Sequence, residues 1–572
     1  MKKILTNVMA LAMVAGLACS TAACGTTVVE EVDENKTQLY IASYSGGGGY
    51  KWLDEAVERF EEKYATKSFE EGKTGAQIIV DHSKGYSASK SETYITSGGF
   101  DLHFVPTPYI SLAKSGNLLD LTDMITETNS HDNKSIESKM NDDVKNFMKV
   151  DGKYYGLPYY DSFSSVTYDA DLFKEKKLYF SNQVDDADTT YPDTNAFAVA
   201  ASATLSCGPD AVYGTYDDGL PSTFQEFYKL MDKMIEQGVT PFAFTGMSDH
   251  YTNMLMNALS ANYMGVDAMK THINFNSNGK KVEIVTGFNG ETPIIEPIEL
   301  TEENAYLIKS SAGLYYAAEF CEKVFTDTRY YDTTAAKGST SNIGAMECYL
   351  KSGWEPSTPT PIAMLIEGSY WYGEAESEGV IERTRKFDPS GNNGVKNVKN
   401  MPLPHQYAGS VTPKAEGEAP IAPVLAQNSA VVVADSKMPS ERVSLAKLFL
   451  QFCYSDEELV KAEFSNNGIG RALTYDTSSI QDDLPTYAKS VNAMKTQAVE
   501  NGTTYLHNSQ HRIYLAHAEF GRATNGGYWT TSLTGADYAI VYQAFKTEKC
   551  SAKEYFEGLK ITKNMWDNNY LK

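Results

Sequence analysis

The sequence predicts an α/β fold divided among more than one domain, and three observations carry that prediction. Short stretches of strand character alternate with amphipathic stretches at helical spacing, the pattern of an α/β lobe. The chain has 572 residues, too long for one core, and length alone suggests about two to four domains. The run Tyr155 to Phe173 reads YGLPYYDSFSSVTYDADLF. It opens with a Gly and a Pro that punctuate the backbone, then continues near-extended with aromatics and an Asp. Such a stretch reads as a chain leaving one packed unit and entering another, and ligand sites favour the seam between domains.

The N-terminus carries a targeting signal. Lys2 and Lys3 form a positive region, Val8 to Ala18 an apolar core, and Thr21-Ala22-Ala23-Cys24-Gly25 a run of small residues ending in a Cys. This resembles a bacterial lipoprotein lipobox. The resemblance implies a signal peptide over 1–23, cleavage before Cys24, and lipid on its thiol. Thr21 departs from the commoner Leu, and Cys19 is the alternative site. The apolar run is well short of a bilayer span. Residues 24–36, with Glu30, Glu31, Asp33 and Glu34, read as an acidic tether.

Composition narrows the partners. The net charge is −24 with no basic stripe, which argues against nucleic acid and against anionic membrane surfaces bound through charge. The 38 tyrosines suit sugars or exposed surfaces, because Tyr joins a flat apolar face to a polar tip; a merely Tyr-rich fold is the competing reading. Cys207, Cys321, Cys348, Cys453 and Cys550 are dispersed and lack C-x-x-C spacing. Free buried thiols are expected rather than a zinc site or a disulfide framework.

Taken in order, Leu39 to Ala42 reads as the first strand, followed by the glycines Gly46 to Gly49. Trp52, Leu53, Ala56, Val57, Phe60 and Tyr64 then keep one apolar helical face. The glycine loop lacks the dinucleotide frame and any Gly-Lys-Ser/Thr, so it reads as a place where backbone approaches a polar ligand. Residues 76–81 and 100–105 are the next strands. The polar insertion 181–220 gathers carboxylates, among them Asp210, Asp217 and Asp218. They are candidates for a structural calcium, although the spacing is not an EF-hand and a solvated loop is the alternative. Thr223 to Gln237 is an amphipathic helix with Thr223 and Glu226 as a capping box and Gly238 as its stop. Thr240 to Phe244 is a strand, 252–264 a helix, and Asn278-Gly279 marks a hairpin. Gly313 to Phe325 is helical, and Pro361 to Ile366 is a strand that turns through Glu367 to Tyr372 into a helix. Met401 to Pro404 and Ala430 to Ala434 are short strands, and Ser440 to Tyr454 is a helix.

The order of GLPYYDSFSSVTYDADLF, LPSTFQEFYKLMDKMIEQGVTPFAF, AMLIEGSYWYGEA, MPLP and the segment from Val431 to Gly468 resembles the carbohydrate-type extracellular solute-binding proteins of ABC importers, the maltose-binding-protein class. The resemblance implies a two-lobed clamp with discontinuous lobes and several hinge crossings. One lobe would hold 37–160 and 403–452, the other 163–400 and 455–572. It implies capture of a sugar or oligosaccharide for ABC permease subunits, a membrane connection through the lipid anchor, and no catalysis or cofactor. By the same resemblance Tyr44, Ser45 and Gly46 contact ligand from the first loop, and Tyr86 is a further aromatic candidate. Asp161 and Ser162 do so from the first crossing, Tyr251 and Asn253 from the head of a helix, and Trp371 and Trp529 by stacking. Core or hinge packing is the competing reading for each, and Arg471 reads as structural. A glycan-active enzyme, a ligand-binding sensor for a membrane kinase, and the same fold with a peptide or polyol ligand remain as alternatives.

Overall fold

The structure is a computed structural model. It describes residues 31–571, apart from 83–87, 106–108, 249, 407–411, 416, 507–510, 514–540, 548 and 559. Two sheets organise the fold. In the first, strand Thr37–Ser43 lies between Ala76–His82 and Leu102–Val105, all parallel. Strand Leu425–Ala434 runs antiparallel to Leu102–Val105 and to Gly156–Ser162, and Thr504–Leu506 adds a parallel edge. In the second sheet, Thr240–Ala243 pairs in parallel with Ile362–Gly368. Ser164–Asp169 is antiparallel to both Ile362–Gly368 and Val398–Met401. Each sheet has its own core, the two-layer solution to burying apolar strand faces.

In the first core, helix Lys51–Lys63 buries Trp52, Leu53, Ala56 and Phe60. Phe60 meets Phe449 of helix Ser440–Cys453 edge-on at 5.2 Å. In the second core, Phe227 of helix Phe224–Glu236 lies parallel to Phe242 at 6.0 Å. The capping box of that helix is displaced by one residue. The Glu226 N–H donates to Thr223 Oγ1 at 3.2 Å, but the Glu226 carboxylate accepts from the N–H of Ser222 and of Asn195 (2.7 and 3.1 Å).

Two expectations change. The hairpin turns at Gly290-Glu291, between strands Lys281–Asn289 and Thr292–Glu299. Asn278-Gly279 closes a tight turn just ahead of it, where Lys280 N–H donates to Ser277 O at 3.0 Å. Residues 455–572 do not lie wholly with the second sheet. Leu459, Ala462, Ile469 and Leu506 join the first core, and strand 504–506 joins the first sheet. Helix Thr486–Glu500, in between, packs on the second side, where Asn400 N–H donates to Ser490 Oγ at 2.7 Å. An apolar helix face does not say which of two cores it will fill. The five cysteines named above are free thiols, and all but Cys348 are buried. Among the described residues no helix is long and apolar enough to cross a membrane.

Thr223→Ala removes the side-chain acceptor at the head of helix 224–236 and is expected to cost about 1 kcal/mol. Thr223→Ser keeps the acceptor and should fall within a few tenths of wild type. Urea unfolding of both variants checks this, and equal losses would show that the hydroxyl is not the cap.

Candidate functional site

The two sheets approach at a seam built first from backbone. The chain leaves strand Thr37–Ser43 at its carboxyl end, the end where α/β sheets bind ligands, and enters Gly46–Gly49. Gly47 and Gly49 have φ of +67° and +79°. A Cβ on Gly47 would lie 2.5 Å from Tyr160 Oη, and one on Gly49 would lie 2.6 Å from Ser377 Oγ. Tyr159 Oη donates to Gly49 O at 3.3 Å. Across the seam, a Cβ on Gly373 would come within 3.5 Å of Gly48 O. The glycines thus let a loop of the first lobe lie directly on helix Trp371–Ser377 of the second.

Aromatic rings and carboxylates fill the seam. Tyr160 from the first sheet and Tyr370 from the turn after Ile362–Gly368 have ring centroids 6.3 Å apart. Tyr251, on helix His250–Met264, hydrogen-bonds to Tyr370. Glu367 ends strand Ile362–Gly368, and Glu374 lies one turn into the next helix; both are buried. Burial lifts the Tyr44 hydroxyl to about 12, with the negative charges of Glu374 and Glu378 adding to it. Burial also holds Glu367 well above the usual carboxylate range. Glu374 reinforces that shift, and the Gly368 N–H only partly opposes it. Glu367 Oε1 has no hydrogen-bond partner, whereas Asn342 Nδ2 donates to Glu374 Oε2 at 3.1 Å.

The hinge lies at one side of this seam. Strand Gly156–Ser162 belongs to the first sheet and Ser164–Asp169 to the second, with only Phe163 between them. Phe163 N–H donates to Ser369 Oγ at 3.1 Å and Ser369 N–H donates to Phe163 O at 2.8 Å. Asp161, buried in the crossing, is held by Lys495 Nζ at 2.7 Å and Gln427 Nε2 at 2.8 Å. Burial works against the charge on Lys495, but the Asp161 carboxylate outweighs it and the lysine pKa is raised. Arg471 stacks 4.2 Å over the Trp52 ring and 5.0 Å over Tyr454, a structural place.

The predicted residues therefore divide. Tyr44, Gly46 and Tyr251 are at the seam, with Ser45 buried in the same loop. Asp161 and Ser162 are buried in the crossing itself, and Asp161 spends one oxygen on the hinge. Asn253 accepts from Val541 N–H at 3.2 Å and so ties its helix to the helix that starts there. Trp371 is no stacking platform. It is fully buried among Tyr349, Tyr372 and Tyr487, with its indole N–H on Thr167 Oγ1 at 2.8 Å. The turn sends Tyr370, one residue earlier, to the seam instead. Tyr86, Trp529 and Cys24 lie outside the described residues.

The acidic loop closes on itself. Asp210 accepts from Val212 N–H and Gln497 Nε2, Asp217 from Asp210 N–H and Thr215 Oγ1, and Asp218 from Gly214 N–H. Among the described residues no group of three or more His, Cys, Asp or Glu side chains is arranged to hold a metal. Tyr160, Tyr370, Glu367 and Glu374 are the seam residues that sequence reading passed over. Their signal was the Glu-Gly-Ser-Tyr turn at a strand's carboxyl end, a position that exposes side chains to the opposite lobe.

Comparison with known proteins agrees with this architecture. Residues 45–294 match the family described as bacterial extracellular solute-binding protein. A chitin oligosaccharide binding protein superposes with a TM-score of 0.56 at 15% identity, covering 94% of this chain and 100% of that one. RafE bound to raffinose gives 0.52 at 12% identity over 93% and 100%. A structure from xylan utilization by the thermophilic bacterium Caldanaerobius polysaccharolyticus gives 0.54 at 14% over 91% and 99%. The chain has the solute-binding-protein fold. No curated protein sequence matches it.

Two outcomes test this reading of the seam. Trp371→Ala empties a core site and should cost about 3–5 kcal/mol in urea unfolding; a loss under about 1 kcal/mol would contradict its burial. Glu367, raised by burial, stays protonated in the folded chain at pH values where the unfolded chain ionises it. Its acid form therefore supports folding fully below the unfolded carboxylate pKa, and that support is lost as pH rises towards the folded pKa. Glu367→Gln should unfold like wild type near pH 4 and become the more stable of the two as pH rises to 7. A constant difference across that range would remove the assignment.

Proposed function

We propose that this protein captures a sugar or oligosaccharide outside the cell and hands it to the permease of an ABC importer. The observation that carries the reading is the seam. Flat tyrosine faces and buried carboxylates stand between two lobes, beside a crossing in which one residue separates their strands, and sugars are held by aromatic faces on C–H surfaces with acceptors on hydroxyls. The family match over residues 45–294 and the chitin-oligosaccharide and raffinose binders of similar fold support it. Lobe closure on the ligand is the signal to the permease, since a ligand that binds the closed form better shifts the clamp towards it. The ligand leaves unchanged. The lipobox-like run ending at Cys24 supports a lipid anchor on the outer face of the cell membrane.

A panel of oligosaccharides tests this by thermal shift and calorimetry. A ligand at about 100 times its Kd adds about 2.7 kcal/mol to stability and should raise Tm measurably, with the sugar recovered intact by chromatography. No shift with any glycan would overturn the reading, and shortened sugars in the mixture would replace capture by hydrolysis.

A further inference from the structure

A cavity of about 630 Å³ lies apart from the seam, lined by helix Phe224–Glu236 and helix Ala312–Thr326 of the second core. That volume falls within the range of small-molecule sites, about 300–1,000 Å³. Beneath it the two helices are locked together by rings. Phe320 meets Phe224, Phe227 and Tyr228 at 4.9, 5.2 and 5.7 Å. The walls are polar. Asp232 accepts from the hydroxyls of Tyr191 and Tyr330, one on each oxygen. Glu322 spends one oxygen on Ala552 N–H at 2.7 Å. Gln406 Oε1 is buried and has no partner. Arg329 is committed to Asp327, whose two carboxylate oxygens it reaches at 3.0 and 2.6 Å. None of these side chains stands at the seam.

Lys323 is the odd member of this wall. Its Nζ lies 5.7 Å from the ring centroid of Tyr228 and 5.5 Å from that of Tyr330. Among the described residues it makes no hydrogen bond and no ion pair. Three ammonium donors therefore remain for an occupant of the cavity, and Asp232, Glu322 and Gln406 keep lone pairs to spare. The geometry points to a second binding site here, separate from the seam, for a neutral saccharide. An anion would meet Asp232, Glu319 and Glu322, none of them in an ion pair among the described residues. A cation would meet Lys323, and an apolar molecule would strip water from all of these groups and bond to none. A sugar hydroxyl donates and accepts at once, so it takes a bond from Lys323 and returns one to a carboxylate or to Gln406. Phe224 and Tyr228, also in the wall, suit the C–H face of a sugar ring. The site does not rest on what the seam binds.

Acetylation of Lys323 by N-hydroxysuccinimidyl acetate, followed by mass spectrometry of the whole protein's digest, reads this cavity directly. The probes are maltotetraose, xylotetraose and tetra-N-acetylchitotetraose, with choline and inorganic phosphate as charged comparisons. A sugar at about twice its Kd leaves about a third of its sites empty. At least one of the three should then slow acetylation of Lys323 about threefold and leave Lys563, outside the cavity, unchanged. Gln406→Ala should raise the sugar concentration for half protection about fivefold, the equivalent of about 1 kcal/mol. If it does not fold, Glu322→Gln is read in the same way. Tyr370→Ala at the seam, or Tyr44→Ala if that does not fold, should leave half protection within about twofold of wild type. Protection lost in the seam variant would arise at the seam, which overturns the second site and leaves sugar capture standing. Protection by choline or phosphate and by none of the sugars overturns the ligand class. Protection by none of the probes, or protection that Gln406→Ala and Glu322→Gln both leave unchanged, overturns the site.

Discussion

Phe163 and Ser369 exchange two backbone-anchored hydrogen bonds, and the functional geometry depends on that exchange. Each bond contributes only about 1 kcal/mol net, but the consequence is positional. Phe163 is the single residue between a strand of the first sheet and a strand of the second. Ser369 begins the turn that sends Tyr370 into the seam and starts the helix bearing Glu374. Tyr487 Oη adds a third bond, donating to Ser369 O at 3.2 Å, and brings in helix Thr486–Glu500. The crossing and the turn ahead of helix Trp371–Ser377 are thereby tied into one piece.

The glycine loop sets the second constraint. Gly47 and Gly49 combine a left-handed backbone with neighbours 2.5–2.6 Å from where a side chain would begin. Only glycine, without a Cβ, meets both conditions. The loop is therefore a contact surface made of main chain, with Tyr159 reaching Gly49 O. Around it, two buried carboxylates are bonded through one oxygen, and Asp161 Oδ1 and Glu367 Oε1 have no partner. Asp161 has a lysine and an amide, whereas Glu367 has only the N–H of the next residue, at 3.2 Å.

The parts legible in the sequence are those fixed by local chemistry. Helix Phe224–Glu236 follows from its apolar period and the Thr223 cap, and the crossing at Tyr155–Phe173 from its Gly-Pro punctuation and extended aromatics. The Asn278-Gly279 turn forms as its residues dictate, but the hairpin folds one turn later, because pairing of 281–289 with 292–299 is decided by tertiary register. Trp371, expected to stack on ligand, is buried in the core, while its neighbour Tyr370, which had no expected role, stands at the seam. Adjacent residues at a strand-to-helix turn point to opposite sides, and nothing in their chemistry says which side is core. The weave of 455–506 between the two cores is likewise invisible to periodicity, which reports that a face is apolar but not its destination.

The contrast between hinge and seam then has a physical reading. A hinge must hold the same contacts open and closed, so its buried charges are best paired within the chain, as Asp161 and Lys495 are. A ligand surface gains affinity only from contacts still missing in the empty protein. Glu367 Oε1 is left unbonded at the seam. The cost falls on the stability of the empty chain, since residues that serve a ligand are seldom those that best serve the fold. Trp371, one residue beyond Tyr370, shows the other side of that division: it gives its whole ring and its N–H to the core and keeps nothing for the ligand.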